Sequence, residues 1–197
     1  MILRTTGKDV AEQAVTGNYI GKPYSKWDCQ AFVEQVLKDL GVRKPDGTPY
    51  NWTGSNAMYR KHIRWRGTID ECRKKFGCIP QGAFVFRVKN DGGEVQRGYH
   101  DNLGNASHVG LYIGRNTEKP CMDSQPTGGV QYRKLSVFTH VGLMDMIDYA
   151  TAPEPPSTPD HEEAVKAIGI IRDDTSSDSD CLEALITLTK YLKEVNI

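Results

Sequence analysis

The sequence predicts an α+β protein in which N-terminal helices pack on a central antiparallel sheet, followed by a short C-terminal helical appendage. Three observations carry this expectation. Helix-like segments come first. A run of short strand-like segments then follows without intervening helices. Finally, a proline-rich break sets off the last stretch, 161–197.

TGKDVAEQAVTG reads as a first helix, and GNYIGKPYSKW as a loop punctuated by Gly and Pro. DCQAFVEQVLKDLG is the clearest helix in the chain. Its Cys29, Phe32, Val33, Val36, Leu37 and Leu40 recur at the spacing of one buried stripe. Asp28 suits the N-cap and Gly41 the C-terminal stop. From Val42 to Cys78 the chain is polar and studded with aromatics, and no element is assigned except that RKHIRWR, with His62, reads as a solvated helix face. Strands are expected at GAFVFRV, at HVGLYIG (opened by His108), at CMDSQ, at GGVQYRKL and at VGLMDMIDY after His140. A Gly-rich excursion, NDGGEVQRGYHDNLGN, separates the first two and holds His100.

The domain reading is 1–150 for the main domain, 151–160 for a linker and 161–197 for a short helical segment. APEPPSTPD places four prolines in nine residues, removing backbone donors and favouring extended chain. Beyond it, past His161, HEEAVKAIGII and CLEALITLTKYLKEV read as helices. Leu182, Leu185, Ile186, Thr189 and Leu192 share one face of the second. So short a piece buries little core alone, so that helix is expected to dock on the main domain, a partner or another copy.

Composition narrows the function. Hydrophobic residues at 38% and charged residues at 25% fit a globular protein. Lys+Arg and Asp+Glu both number 25, so no basic excess calls for nucleic acid. No apolar run is long enough for a membrane span, and MILRTTGKDVAEQ lacks the apolar core of a signal peptide. The five cysteines, Cys29, Cys72, Cys78, Cys121 and Cys181, are odd in number and scattered, so free thiols are expected. The C-x₅-C spacing of Cys72 and Cys78 is poor for zinc, although a local disulfide is open to them. Neither metal nor cofactor is expected.

Two residues stand out chemically. A cysteine in the first turn of a helix lies at the positive end of the helix dipole, beside unpaired N–H groups that favour thiolate and can receive an oxyanion. Cys29 occupies such a position, though the same stripe would accept it as a core residue. His108, about 80 residues downstream, heads a strand and can reach a helix N-terminus to activate the thiol; the alternative is a surface histidine at a strand end.

DCQAFV followed by SHVGLYIG resembles the NlpC-type peptidoglycan peptidases, a branch of the papain-like cysteine hydrolases. GKPYSKW is similar to that family's Gly-x-Pro-Tyr lead-in, and GCIPQGAFVF to its Pro-Gly-Asp-Leu-Val-Phe strand. The likeness covers roughly residues 6–150, with the motifs in the family's order. Gln30 and Ala31 stand where the family has Ser-Gly, and Ala83 where it has Asp. The resemblance implies a papain-like fold, a Cys29 nucleophile and a His108 base. Its third member, a polar residue on the next strand, matches Asp123, where many relatives carry His, with Gln125 as runner-up on the same strand face. Read without the family, Asp123 is a solvated turn residue before Pro126. Tyr24 matches a tyrosine near nucleophile and substrate, and Asp28 a carboxylate that binds a free peptide amine in some members. Trp27 is a candidate shield for the thiol.

The implied reaction is hydrolysis of a D-γ-glutamyl–diamino acid bond in the peptidoglycan stem peptide. Two other readings stay open: an N-acetylmuramoyl-L-alanine amidase on the same fold, and a non-catalytic wall-binding or structural module. Without an export signal, the expectation is a protein made in the cytoplasm that acts at the wall after lysis or as part of a virion, as a phage lysin does.

Overall fold

The computed structural model describes residues 5–89, 99, 101–115 and 118–149, with 182, 184–187 and 189 near the C-terminus. The chain divides into two units, Met1–Ala152 and Pro153–Ile197. The proline-rich linker, HEEAVKAIGII, His100, His161, Cys181, Leu192 and most of the Gly-rich excursion lie outside the described residues.

Thr6 opens helix α1 (Gly7–Thr16) with a capping box, its hydroxyl accepting from the Asp9 N–H while the Asp9 carboxylate accepts from the Thr6 N–H. Helix α2 (Cys29–Asp39) starts at Asp28, whose carboxylate accepts from the Ala31 N–H at 2.8 Å. Its stripe of Phe32, Val33, Val36 and Leu37 is fully buried, as its periodicity requires; Leu40 falls just past the helix as a half-buried C-cap. Helix α3 (Ser55–Arg60), strand β1 (Ile63–Thr68) and helix α4 (Ile69–Phe76) occupy the stretch left without elements. Strands β2 (Phe84–Lys89), β3 (Asn105–Tyr112), β4 (Cys121–Gln125), β5 (Gly129–Arg133) and β6 (His140–Met144) follow. They form one six-stranded sheet in the order β1-β6-β2-β3-β4-β5, antiparallel throughout.

The fold class is therefore α+β, but helices and strands are not segregated in the chain. Strand β1 lies between two helices and pairs with the last strand, β6, to make one sheet edge. It escapes a pattern reading because an edge strand needs no continuous apolar face, and IRWRGT carries two arginines. His62 precedes β1 at φ +63° instead of lying on a helix. Its ring packs edge-on against Tyr50 at 5.2 Å, and its Nδ1 lies 3.4 Å from the Asp145 carboxylate.

Alternation along the strands sends neighbouring residues to opposite faces. Phe84, Phe86, Leu111 and Met122 join Val10, Phe32 and Val36 in the larger core cluster, to which α1, α2 and α3 contribute. Val85, Cys121, Val141 and Leu143 join Cys72 of α4 and Phe138 in a second. At the C-terminus, the described residues from 182 to 189 are helical. Of the face expected to dock, Leu182 is 61% exposed and Leu185 and Ile186 about half, while the small Ala184 is buried. Among the described residues, no helix is long and apolar enough to cross a membrane.

Candidate active site

Three elements converge on Cys29. It is the first residue of α2, its side chain buried at the edge of the larger core cluster. Strand β3 supplies His108 and strand β4 supplies Asp123 and Gln125. Strand β3 starts at Asn105, so His108 lies inside it and does not open it; the start is fixed where Asn56 Oδ1 accepts from the Ala106 N–H at 2.9 Å. Antiparallel pairing sets Gly110 opposite Asp123, which puts the carboxylate diagonal to His108 on the same face.

The Asp123 side chain is fully buried, and its Oδ2 lies 2.8 Å from His108 Nε2. Gln125 Nε2 lies 2.6 Å from the same oxygen and 2.8 Å from the same ring nitrogen. One ring nitrogen cannot both donate to Asp123 and accept from Gln125. A carboxylate at hydrogen-bond distance favours a proton on Nε2, so Oδ2 accepts from both His108 and Gln125. Nδ1 is then the ring nitrogen not engaged by Asp123 or Gln125, and Cys29 is near enough for its thiol to bear on the His108 pKa. Burial pulls the His108 pKa down, but the hydrogen bonds to Asp123 and Cys29, with their charges, outweigh it and raise the value to about 9. Asp123 and Gln125, alternatives on sequence, thus act in series, Gln125 donating to the carboxylate that holds the ring. Asp123 is a buried strand residue, not a solvated turn residue.

Two packing features hold the imidazole in place. Phe138 lies nearly parallel to it, with ring planes 13° apart and centroids separated by 6.1 Å. Gly110 makes room for that ring, since a Cβ there would meet Met122 O at 2.7 Å, Phe138 Cζ at 3.0 Å and Asp123 Cβ at 3.1 Å. Tyr24 also lies near the thiol: burial first, then the Cys29 and Asp28 charges, raise its pKa. Asp28 is exposed and caps α2, while Trp27 packs on Tyr19, centroids 5.6 Å apart, as part of the core wall. Gln30 donates to Glu34 Oε1 at 2.8 Å and to the Trp52 carbonyl, so the residue after Cys29 ties the Val42–Trp52 segment to α2.

Sequence reasoning missed Phe138, Asn56 and Arg133. Arg133 Nε lies 3.6 Å from Asp123 Oδ2. Their proximity depends on strand register and leaves no local signal. The other described cysteines are poor nucleophile candidates or lack the partners of Cys29. Burial pushes the Cys72 thiol up to about 11 and the Cys121 thiol up to about 12. Cys72 donates to the Cys78 carbonyl, and both are free thiols. Among the described residues, no cluster of three or more His, Cys, Asp or Glu side chains is placed to hold a metal ion. No protein-family model, curated protein or solved structure matches the chain.

Proposed function

We propose that this protein is a papain-like cysteine hydrolase that cleaves an amide bond in the stem peptide of bacterial peptidoglycan, with the D-γ-glutamyl–diamino acid bond as its target. The observation that carries the reading is His108, hydrogen-bonded to the fully buried Asp123 and near enough to the Cys29 thiol at a helix start for the two to interact electrostatically.

In this reading Cys29 Sγ gives its proton to His108 Nδ1 and attacks the carbonyl carbon. Asp28 already occupies the Ala31 N–H through its side chain and the Phe32 N–H through its carbonyl. In this reading the Cys29 N–H, upstream of both, receives the tetrahedral oxyanion. His108 then hands its proton to the leaving amine, and Asp123 stabilises the imidazolium in between. Water, deprotonated by the same ring, releases the acyl group. The choice of wall peptide as substrate rests on the resemblance of GKPYSKW, DCQAFV and SHVGLYIG to the NlpC-type peptidases.

Digestion of purified peptidoglycan, followed by mass spectrometry, tests the reading. Cleaved stem peptides are expected from the native chain and none from Cys29→Ala. Free lactyl-muramic chains would reassign the bond to an amidase. Wall products unchanged by Cys29→Ala would remove the thiol from the chemistry.

A further inference from the structure

Asp123 makes an electrostatic demand that His108 and Gln125 do not meet in full. Its side chain is completely buried, and Oδ1 has no hydrogen-bond partner among the described residues. An ionised carboxylate so placed requires compensation, or it takes up a proton. Strand register supplies a cation. Asp123 pairs with Gln131 and Cys121 with Arg133, so Arg133 is the diagonal neighbour of Asp123, within reach of a long side chain. Arg133 Nε is itself buried and, among the described residues, without a hydrogen-bond partner, 3.6 Å from Asp123 Oδ2. A shift of about half an ångström would bring it within hydrogen-bond range.

We propose that Arg133 is a positioning residue of this site, whose guanidinium keeps Asp123 ionised and so sustains the thiolate–imidazolium pair of Cys29 and His108. The inference rests on the reading of Cys29 as the nucleophile. The groups facing Asp123 are His108 from β3, with Cys29 of α2 beyond it, and Arg133 from β5. Cys121 is on its own strand, while Tyr24 and Asp28 lie past the thiol. Arg133 is the cation among these besides the imidazolium itself. Without it, the buried Asp123 carboxylate loses its counter-charge and its hold against the His108 ring. The imidazolium is then less well held, and the proton returns to sulfur. The acid limb of Cys29 reactivity therefore moves upward.

The test is the pH profile of iodoacetamide alkylation at Cys29, read by peptide mass spectrometry on the full chain. In Arg133→Met and Arg133→Gln the acid limb is expected to rise by about one pH unit, a roughly tenfold slower alkylation on that limb. Arg133→Lys, which restores the charge, is expected to return the profile to within about threefold of native. Two neutral variants are used so that one folded protein suffices, with folding checked by circular dichroism. Neutral variants whose limb overlays the native one, while Asp123→Asn shifts it, overturn the role of Arg133. A native chain whose Cys29 alkylates no faster than in His108→Ala overturns the thiol–imidazole reading instead, and this inference with it.

Discussion

His108 is where opposing effects meet in one side chain. Burial disfavours the imidazolium, yet the hydrogen bonds and charges of Asp123 and Cys29 raise its pKa from 6.5 to about 9. A group whose folded pKa is raised stabilises the fold fully below its unfolded value and loses that contribution as pH rises through the folded one. Urea unfolding of the native chain and of His108→Gln should therefore differ most below pH 6.5, the gap closing as pH approaches and passes 9. A gap that widens with pH would reverse the assignment. Replacing Asp123 by Asn keeps the shape but removes the acceptor that holds the proton on Nε2. Wall hydrolysis is expected to fall by about 10²–10⁴-fold, with binding of peptidoglycan in pull-down little changed. Cys29 and His108 were legible because each stands at a motif with its own chemical reason, a helix start and a strand that can face it. The joint action of Asp123 and Gln125 was half legible, since strand periodicity gives a shared face but not that one side chain would donate to the other.

At the scale of elements, the segment carrying Tyr24 is fastened to strand β5. Gly21 donates to the Val130 carbonyl, and Val130 donates back to the Lys22 carbonyl, at 2.8 and 3.1 Å. Gly129 permits the approach: its φ is +64°, and a Cβ would lie 2.0 Å from the Lys22 carbonyl oxygen. Gly129→Ala must break these bonds or shift β5, at a cost of about 2 kcal/mol or more, and should lower the melting temperature and Cys29 alkylation together. On the opposite side of β3, Asn56 accepts from the Ala106 N–H and from Arg60 Nη1 and donates to Asn105. Asn56→Ala removes the acceptor of the buried Ala106 N–H and should cost about 1–3 kcal/mol in urea unfolding. Neither device was readable in advance. GSN at 54–56 has no chemical signature until β3 is folded beside it. Helix α4 did carry one, since TIDE is a capping box at Thr68 and Glu71. It is nonetheless short and so polar that Cys72 is its one buried residue, leaving no apolar period to detect.

For the whole molecule, legibility follows burial. Helix α2 and strands β2, β3 and β6 supply half of the fully buried side chains; α2 and β2 were read close to their observed bounds, whereas β3 begins three residues before His108 and β6 ends at Met144 without reaching Tyr149. The edge strand β1 and helices α3 and α4 earn their places through partners distant in the chain, such as Met144 opposite Ile63, so only the folded sheet reveals them. Both core clusters are drawn from residues between Val10 and Tyr149. The Tyr24, Cys29, His108, Asp123, Gln125 and Arg133 side chains belong to the same unit, Met1–Ala152. A unit that holds both of these core clusters and these site groups, among the described residues, is expected to form them by itself. The fragment 1–152 is therefore expected to unfold in a single cooperative transition and to keep the Cys29 alkylation profile of the full chain. A fragment that folds but loses the thiol's reactivity below neutral pH would show that the C-terminal unit takes part in the site, and would move the search for substrate contacts there.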